Sequence, residues 1–321
     1  MTTLAELTTF RVGGEVSRLV RVTSSEELVA AVRAADEEQR QLLVLGGGSN
    51  LLASDAPFDG TVVAVRPGAE IARIVEEDAA GSVIVRVWAG TVWDDFVAWS
   101  VDEHLSGIEA LSGIPGSAGA SPVQNVGAYG HEVAETIHSV EAYDRLEQRI
   151  VRLLPSELGF AYRSSAIKHS IGQPGLPGRV WGPTGRWVVL SVDFRLERSS
   201  LSAPVMYSEL ARRLGVEAGE HAEASLVRST VLELRAGKGM VLNPEDHDTW
   251  SAGSFFTNPI LPEAGDPPRA SLSTKHVLAL TNRGDASGAD IEALARAVRE
   301  RVFDAYGVTL VPEPVAIGIE W

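Results

Sequence analysis

Two glycine-rich stretches carry the residues best suited to binding chemistry. In LLVLGGGSNLL, residues 42–52, an apolar run reads as a buried strand, breaks into three glycines, and offers Ser49 and Asn50 before apolar character resumes. A tight turn after a strand exposes several main-chain N–H donors to a pyrophosphate, and a hydroxyl and an amide add to them. The spacing is not the dinucleotide fingerprint, because no further glycine follows to open a helix. The second stretch, GIEALSGIPGSAGASPVQNVGAYGHE at 107–132, packs glycine, alanine and serine around Pro115 and Pro122, with almost no charge between Glu109 and Glu132. Small side chains let main-chain N–H groups approach a ligand closely, and the glycines permit the necessary turns. A glycine-rich crossing buried in a core is the reading that composition leaves open beside it.

Both stretches need a frame. Up to about residue 65 the pattern alternates: a strand at 18–22, a helix opened by Ser24 and Glu27 in capping-box spacing, a strand at 42–45 and another at 60–65. From about 66 to 196, residues 82–88 alternate with the period of a half-buried strand. Thr91 is expected to cap a helix over 92–104, with Val92, Phe96, Val97 and Trp99 on its apolar side. Strands are expected at 140–143, 150–154 and 187–196, and the polar segment 197–204 reads as a linker. Beyond it come a helix at 225–235, strands around 254–258 and 273–280, and a long helix over 290–306. That helix sets Ile291, Leu294, Val298, Val302 and Phe303 at core-facing spacing and stops at Gly307.

Composition bounds the function. A chain of 321 residues buries a sizeable core and is long for one domain. The N-terminus, MTTLAELTTF, has neither a basic head nor an apolar segment, and no membrane span is apparent, so a cytoplasmic location is expected. Cys is absent, which excludes disulfides, thiolate metal sites and a Cys nucleophile. The net charge of −15 argues against nucleic acid as a partner, although a local Arg and Lys cluster can still hold a small anion. The histidines occur singly, so no metal site is expected, and His247 reads as a turn residue. Monomer and dimer are both compatible with this composition.

Taken in order, TTFRVGG (8–14), GGGSN, IPGSAGASPVQNVGAYG, YRSSAIKH (162–169), GSFFTNP (253–259) and LVPEPVAIG (310–318) resemble the motifs of the UDP-N-acetylenolpyruvoylglucosamine reductase family. The resemblance runs through most of the chain. It implies an α+β protein with the two-lobed FAD-binding fold of the vanillyl-alcohol oxidase (PCMH) type, at 1–65 and 66–198, plus a C-terminal α+β substrate-binding domain at 199–321. It also implies FAD as cofactor, NADPH as hydride source, and a UDP-sugar enolpyruvyl ether as substrate. The flavin would be contacted by Gly47, Gly48, Ser49, Asn50, Ser121, Gln124, Asn125 and Gly127, and the substrate by Tyr207, Lys238 and Asn258.

Reducing an enol ether conjugated to a carboxylate adds hydride at the terminal carbon and drives charge into an enolate-like carboxylate. A guanidinium stabilises that charge with a rigid fork of donors, and by resemblance Arg163 takes the role; by itself it reads as a surface arginine paired with an acid. Ser254, between glycine and two aromatics, matches the family's proton donor, and otherwise reads as a strand residue satisfied by backbone. Glu313, between two prolines in an apolar segment, matches the other half of the enolate-stabilising pair; its bland reading is an exposed turn carboxylate, whereas desolvation would push its pKa upward.

Two departures from the family pattern stand out. Between Asn258 and the expected strand at 273–280 only PILPEAGDPPRASL remains, where the family carries a longer segment with a Trp-containing helix and a lysine-glycine turn. Val315 stands where family members can carry arginine. These leave two further readings: another flavin oxidoreductase of the same fold, or a degenerate paralogue that binds FAD or a UDP-sugar without turnover.

Overall fold

In the computed structural model, whose described residues are 2–256, 270–272, 276 and 278–321, the chain divides into two units: Met1–Leu19, Gly47–Thr61 and Arg235–Trp321 form the first, Val20–Gly46 and Val62–Leu234 the second.

The second unit is built on a largely antiparallel sheet in the order Arg149–Leu153, Ile137–Asp144, Trp187–Arg198, Ser82–Trp88, Arg73–Glu77, with the short Leu105–Ser106 pairing the end of Trp187–Arg198. Alternation along the strands divides its faces. Val83, Val85, Val87, Leu190, Val192, Phe194 and Val140 are buried in one cluster with Leu28 and Val32 of the helix Ser25–Glu37 and Trp93, Phe96 and Val97 of the helix Trp93–Asp102. Phe194 meets the rings of Trp93 and Phe96 at 5.8 and 5.0 Å, and each such side chain contributes about 1.5–3 kcal/mol by leaving water. Phe58–Val65 is the middle strand of a further three-stranded sheet, between Val16–Val22 and Gln41–Leu45, and its nearly continuous burial fits that place.

The opposite face of the large sheet carries a polar network. Asp193 accepts from Arg86 at 2.7 and 2.8 Å and from Ser139 Oγ at 3.1 Å, with Arg152 at 3.4 Å. Burial pushes this carboxyl up, but the Arg86 hydrogen bonds and charge, helped by Ser139 and Arg152, outweigh it and hold it below the usual carboxylate range. A depressed folded-state pKa stabilises above the unfolded value of about 3.9 and ceases to as pH falls through the folded one. Asp193→Asn is therefore expected to cost about 3 kcal/mol at pH 7, and to shrink the drop in Tm between pH 5 and pH 2 on thermal melts across that range.

The first unit packs Phe10, Val12, Leu52, Phe255, Phe256, Leu280, Ile291, Val302 and Leu310 into its own core. Leu51–Ala53 pairs in parallel with Val315–Ile317. The helix Gly288–Tyr306 starts at Ser287, whose side chain accepts from the Asp290 amide, while the Asp55 carboxylate accepts from the Gly288 and Ala289 amides at 2.7 and 3.0 Å. It ends at Gly307 in the left-handed conformation, as expected.

Several expectations are corrected. Thr91 does not cap the helix: its hydroxyl donates to the Ile71 carbonyl at 3.1 Å, Val92 is the N-cap, and the first helical amide, Trp93 N, donates to Gly116 O at 3.1 Å. Val92 is consequently 40% exposed and Trp93 is the buried residue. Glu27 reaches the Thr23 amide rather than completing a reciprocal box with Ser24. Phe303 lies 55% exposed, one position beyond the buried Val302 stripe. The strand expected at 273–280 falls partly on residues outside those described; within it Leu280 begins the strand Leu280–Asn282, which pairs antiparallel with Ala270–Leu272. The strand expected at 254–258 reduces, within the described residues, to a bridge between Phe256 and Pro312. Asn258 lies outside the described residues.

Candidate active site

In the second unit the two glycine-rich stretches meet. A Cβ on Gly46 would lie 2.2 Å from Ser117 Oγ, so only glycine allows the turn after Gln41–Leu45 to press against IPGSAGAS. The Gly46 carbonyl accepts from Arg66 at 3.2 Å. The second stretch is laid on the end of Ser82–Trp88: Ala118 N donates to Thr91 O at 2.9 Å and Gly119 N to Ala89 O at 3.0 Å. There too the contact requires glycine, because a Gly119 Cβ would sit 2.5 Å from Ala89 Cβ. Gly113 N donates to Asp94, which also receives both terminal nitrogens of Arg228.

Arg163 is drawn to the far end of this stretch. Its guanidinium donates to the carbonyls of Asn125 at 3.2 Å and Gly127 at 2.7 Å, and its own backbone is left-handed. Asn125 turns the chain at φ 48; its side chain is engaged by Glu132 at 2.6 Å, the Ala161 carbonyl and the Ala134 amide, so it positions the loop from within. Ser121 is buried and donates to Ala118 O. Gln124 is half-buried, with Lys168 Nζ 3.5 Å from its Oε1. Gly127 pairs with Glu132 in a two-residue hairpin, and Tyr207 meets Tyr129 edge-on at 5.4 Å. Lys168, which also donates to the Arg163 carbonyl at 3.2 Å, was not singled out from the sequence, although it lies in the same YRSSAIKH motif.

In the first unit a different set converges. Glu313 N donates to Phe255 O at 3.0 Å and Val315 N to Asn50 O at 3.1 Å. The VPEP segment is thereby held between the residue after Ser254 and the end of GGGSN. Ser254 is half-buried, follows the left-handed Gly253, and its hydroxyl makes no hydrogen bond among the described residues. Phe255, packed edge-on against Phe10 and Phe256, anchors the backbone that presents it. Gly48, at φ 65, lies where a Cβ would strike Leu7 O, and its carbonyl accepts from Thr9 N at 3.1 Å; Gly47 is exposed, Ser49 and Asn50 half-buried. Lys238 is half-buried beyond the helix Ala224–Gly237. Burial, then the positive charges of Lys238 and Arg235, push His276 below its usual range, which keeps it neutral at pH 7.

The donors of each unit suit a flavin dinucleotide. In the second unit the amides of Gly116 and Ser117, and separately in the first unit the amide of Gly47, donate to no protein acceptor among the described residues. Uncommitted N–H groups on glycine-rich turns, free of carboxylates, are what a pyrophosphate needs.

Comparison with known proteins agrees. Residues 16–153 match the family model described as an FAD binding domain, and residues 243–317 match that of the UDP-N-acetylenolpyruvoylglucosamine reductase C-terminal domain. Fold and cradle together define an FAD-binding flavoprotein with the PCMH-type domain. Among curated relatives, the UDP-N-acetylenolpyruvoylglucosamine reductase of Cutibacterium acnes is 47% identical, covering 98% of this chain and 89% of that protein; those of Streptomyces coelicolor and Mycolicibacterium smegmatis are 46% and 42% identical over 98% of this chain. The crystal structure of the reductase from Thermus caldophilus superposes with a TM-score of 0.64 at 25% identity, covering 98% of this chain and 97% of that one. The chain belongs to the UDP-N-acetylenolpyruvoylglucosamine reductase family. The alignment with the Cutibacterium acnes protein extends over 351 positions against 321 residues here, in keeping with a shortened chain.

Proposed function

We infer that this protein is an FAD-dependent, NADPH-using oxidoreductase that reduces UDP-N-acetylglucosamine enolpyruvate to UDP-N-acetylmuramate, a step in peptidoglycan precursor synthesis. FAD, held by the glycine-rich stretches, would supply the redox chemistry when bound: a hydride drawn from NADPH and destined for the terminal carbon of the enolpyruvyl group. Ser254 then gives its proton to the neighbouring carbon, which bears the carboxylate, and the negative charge returns to the serine oxygen for neutralisation by solvent. A hydroxyl is a weak acid, but that carbon is strongly basic in the enolate-like state, so transfer runs downhill. Arg163 and Glu313 stabilise the developing carboxylate charge, Arg163 by its fork of donors and Glu313 by sharing a proton. Gly47, Gly48, Ser49, Asn50, Ser121, Gln124, Asn125 and Gly127 hold the flavin, and Tyr207, Lys238 and Asn258 hold the UDP-sugar.

The observation that carries this reading is the pinning of Glu313 beside Phe255, which puts a carboxylate segment against the segment bearing a hydroxyl that makes no hydrogen bond among the described residues. In our reading residues 1–65 and 66–198 act as the two flavin lobes and 199–321 as the substrate domain. No described helix is long and apolar enough to cross a membrane, and we place the protein in the cytoplasm, where the soluble nucleotide substrate is.

The test is anaerobic stopped-flow on the FAD-loaded chain. NADPH is expected to bleach the visible flavin band, and UDP-N-acetylglucosamine enolpyruvate to restore it. Bleaching without restoration would support another flavin oxidoreductase, and no bleaching would support a non-catalytic binding protein.

A further inference from the structure

Tyr207 is held by a contact that hydride and proton transfer do not use. His131 is 9% exposed, and both of its ring nitrogens lie on oxygens: Nδ1 is 2.7 Å from Glu135 Oε2 and Nε2 is 2.8 Å from the Pro204 carbonyl. Glu135 is fixed in turn, since its Oε1 accepts from the Glu132 amide at 2.9 Å, and this sets the rotation of the imidazole. The backbone of His131 is equally constrained. It pairs with Ala128 across a hairpin whose two turn residues, Tyr129 at φ 52 and Gly130 at φ 86, are both left-handed, as a tight primed turn requires.

The tip of that hairpin grips the segment leading to Tyr207 at three successive residues. The Tyr129 ring meets that of Tyr207 edge-on at 5.4 Å. Gly130 faces Met206, where a Cβ would come within 2.8 Å of the methionine Cβ. His131 holds the Pro204 carbonyl. The helix Ser208–Leu214 begins directly after Tyr207, its N-cap, whose carbonyl accepts from Ala211 N at 2.9 Å and whose side chain makes no capping hydrogen bond. The same hairpin carries Gly127, whose carbonyl receives Arg163.

We propose that His131 is a positioning residue for substrate: it locks the segment 204–207 onto the hairpin, so that Tyr207 meets the UDP-sugar in register with Arg163. This rests on the assignment of Tyr207 as a substrate contact.

The experiment uses the FAD-loaded full chain and two readouts: the Kd for UDP-N-acetylglucosamine by titration calorimetry, and KM and kcat for the enolpyruvyl substrate. His131→Phe keeps a ring but loses both bonds; His131→Gln retains a donor toward the Pro204 carbonyl. Phe is expected to raise Kd and KM about tenfold while kcat changes less than about twofold, and Gln to recover most of the loss. In a Tyr207→Ala background, His131→Phe is expected to add less than about twofold, because the two residues act through one contact. The cycle is repeated with His131→Asn, too short to reach Pro204, so that a folding defect in the Phe variant does not decide the result. An unchanged Kd, or an equal effect with and without Tyr207, overturns the proposal. Binding of UDP-N-acetylglucosamine without turnover removes the reductase reading and leaves this one to be judged on Kd; no binding by the unmutated chain overturns both.

Discussion

Ser254→Ala is expected to slow reoxidation of the flavin by UDP-N-acetylglucosamine enolpyruvate about 10³-fold, within the range for losing a positioned proton donor. The NADPH half-reaction delivers no proton to carbon and should proceed. The expectation rests on isolation: the hydroxyl makes no hydrogen bond among the described residues, while the backbone around it is held by Phe255 in the core. A serine placed there for structure would have its hydroxyl engaged, as Ser121 and Ser165 do with the carbonyls of Ala118 and Val123. Stopped-flow traces of the two half-reactions in the unmutated and Ala forms are the check. A serine deletion that leaves reoxidation within about threefold of normal removes Ser254 from the chemistry. Solvent deuterium sharpens the result, since the isotope effect on reoxidation should be altered only where proton transfer is the affected step.

Arg163→Met should have the second largest effect, lowering the rate of reoxidation about 10²-fold to 10³-fold, the loss typical of removing one preorganised donor group from a developing oxyanion. Here the structure adds a second consequence. Two of the five guanidinium N–H donors are directed at the carbonyls of Asn125 and Gly127. Removal therefore also loosens the glycine-rich loop, and a loss of about 2 kcal/mol in stability is expected from two charge-assisted bonds. Arg163→Lys separates the contributions. An ammonium keeps the charge but cannot span both carbonyls and a carboxylate, so reoxidation should recover only in part. Thermal melts beside rate measurements decide the matter: a Met variant that is less stable yet turns over normally would make Arg163 a loop brace alone.

Much of this molecule was readable beforehand because short-range rules operate undisturbed in it. The strand Ser82–Trp88 sets Val83, Val85 and Val87 into the core at a spacing of two, the helix Ser25–Glu37 begins at a serine N-cap, and Gly307 ends a helix with a left-handed residue. These features depend on neighbours within four residues. The errors lie where a distant group competes for the same donor. Thr91 looked like a cap, but the Ile71 carbonyl took its hydroxyl and the Gly116 carbonyl took the helix's first amide. The placement of the Asn125 amide, turned inward to Glu132 and Ala161, is likewise something no local pattern announces.

The candidate site shows the same division. Its residue types, the glycines of GGGSN and IPGSAGAS, Arg163, Ser254 and Glu313, stand in the linear motifs, and their chemistry follows from functional groups alone. What brings Gly46 against Ser117, Glu313 against Phe255, and His131 against Pro204 is long-range packing between segments about 60 to 70 residues apart. Sequence by itself determined which groups are available, since that is covalent. Only the tertiary structure decided which of them are spent on the backbone and which face outward, because each N–H donates once and the nearest acceptor in space, seldom the nearest in sequence, claims it.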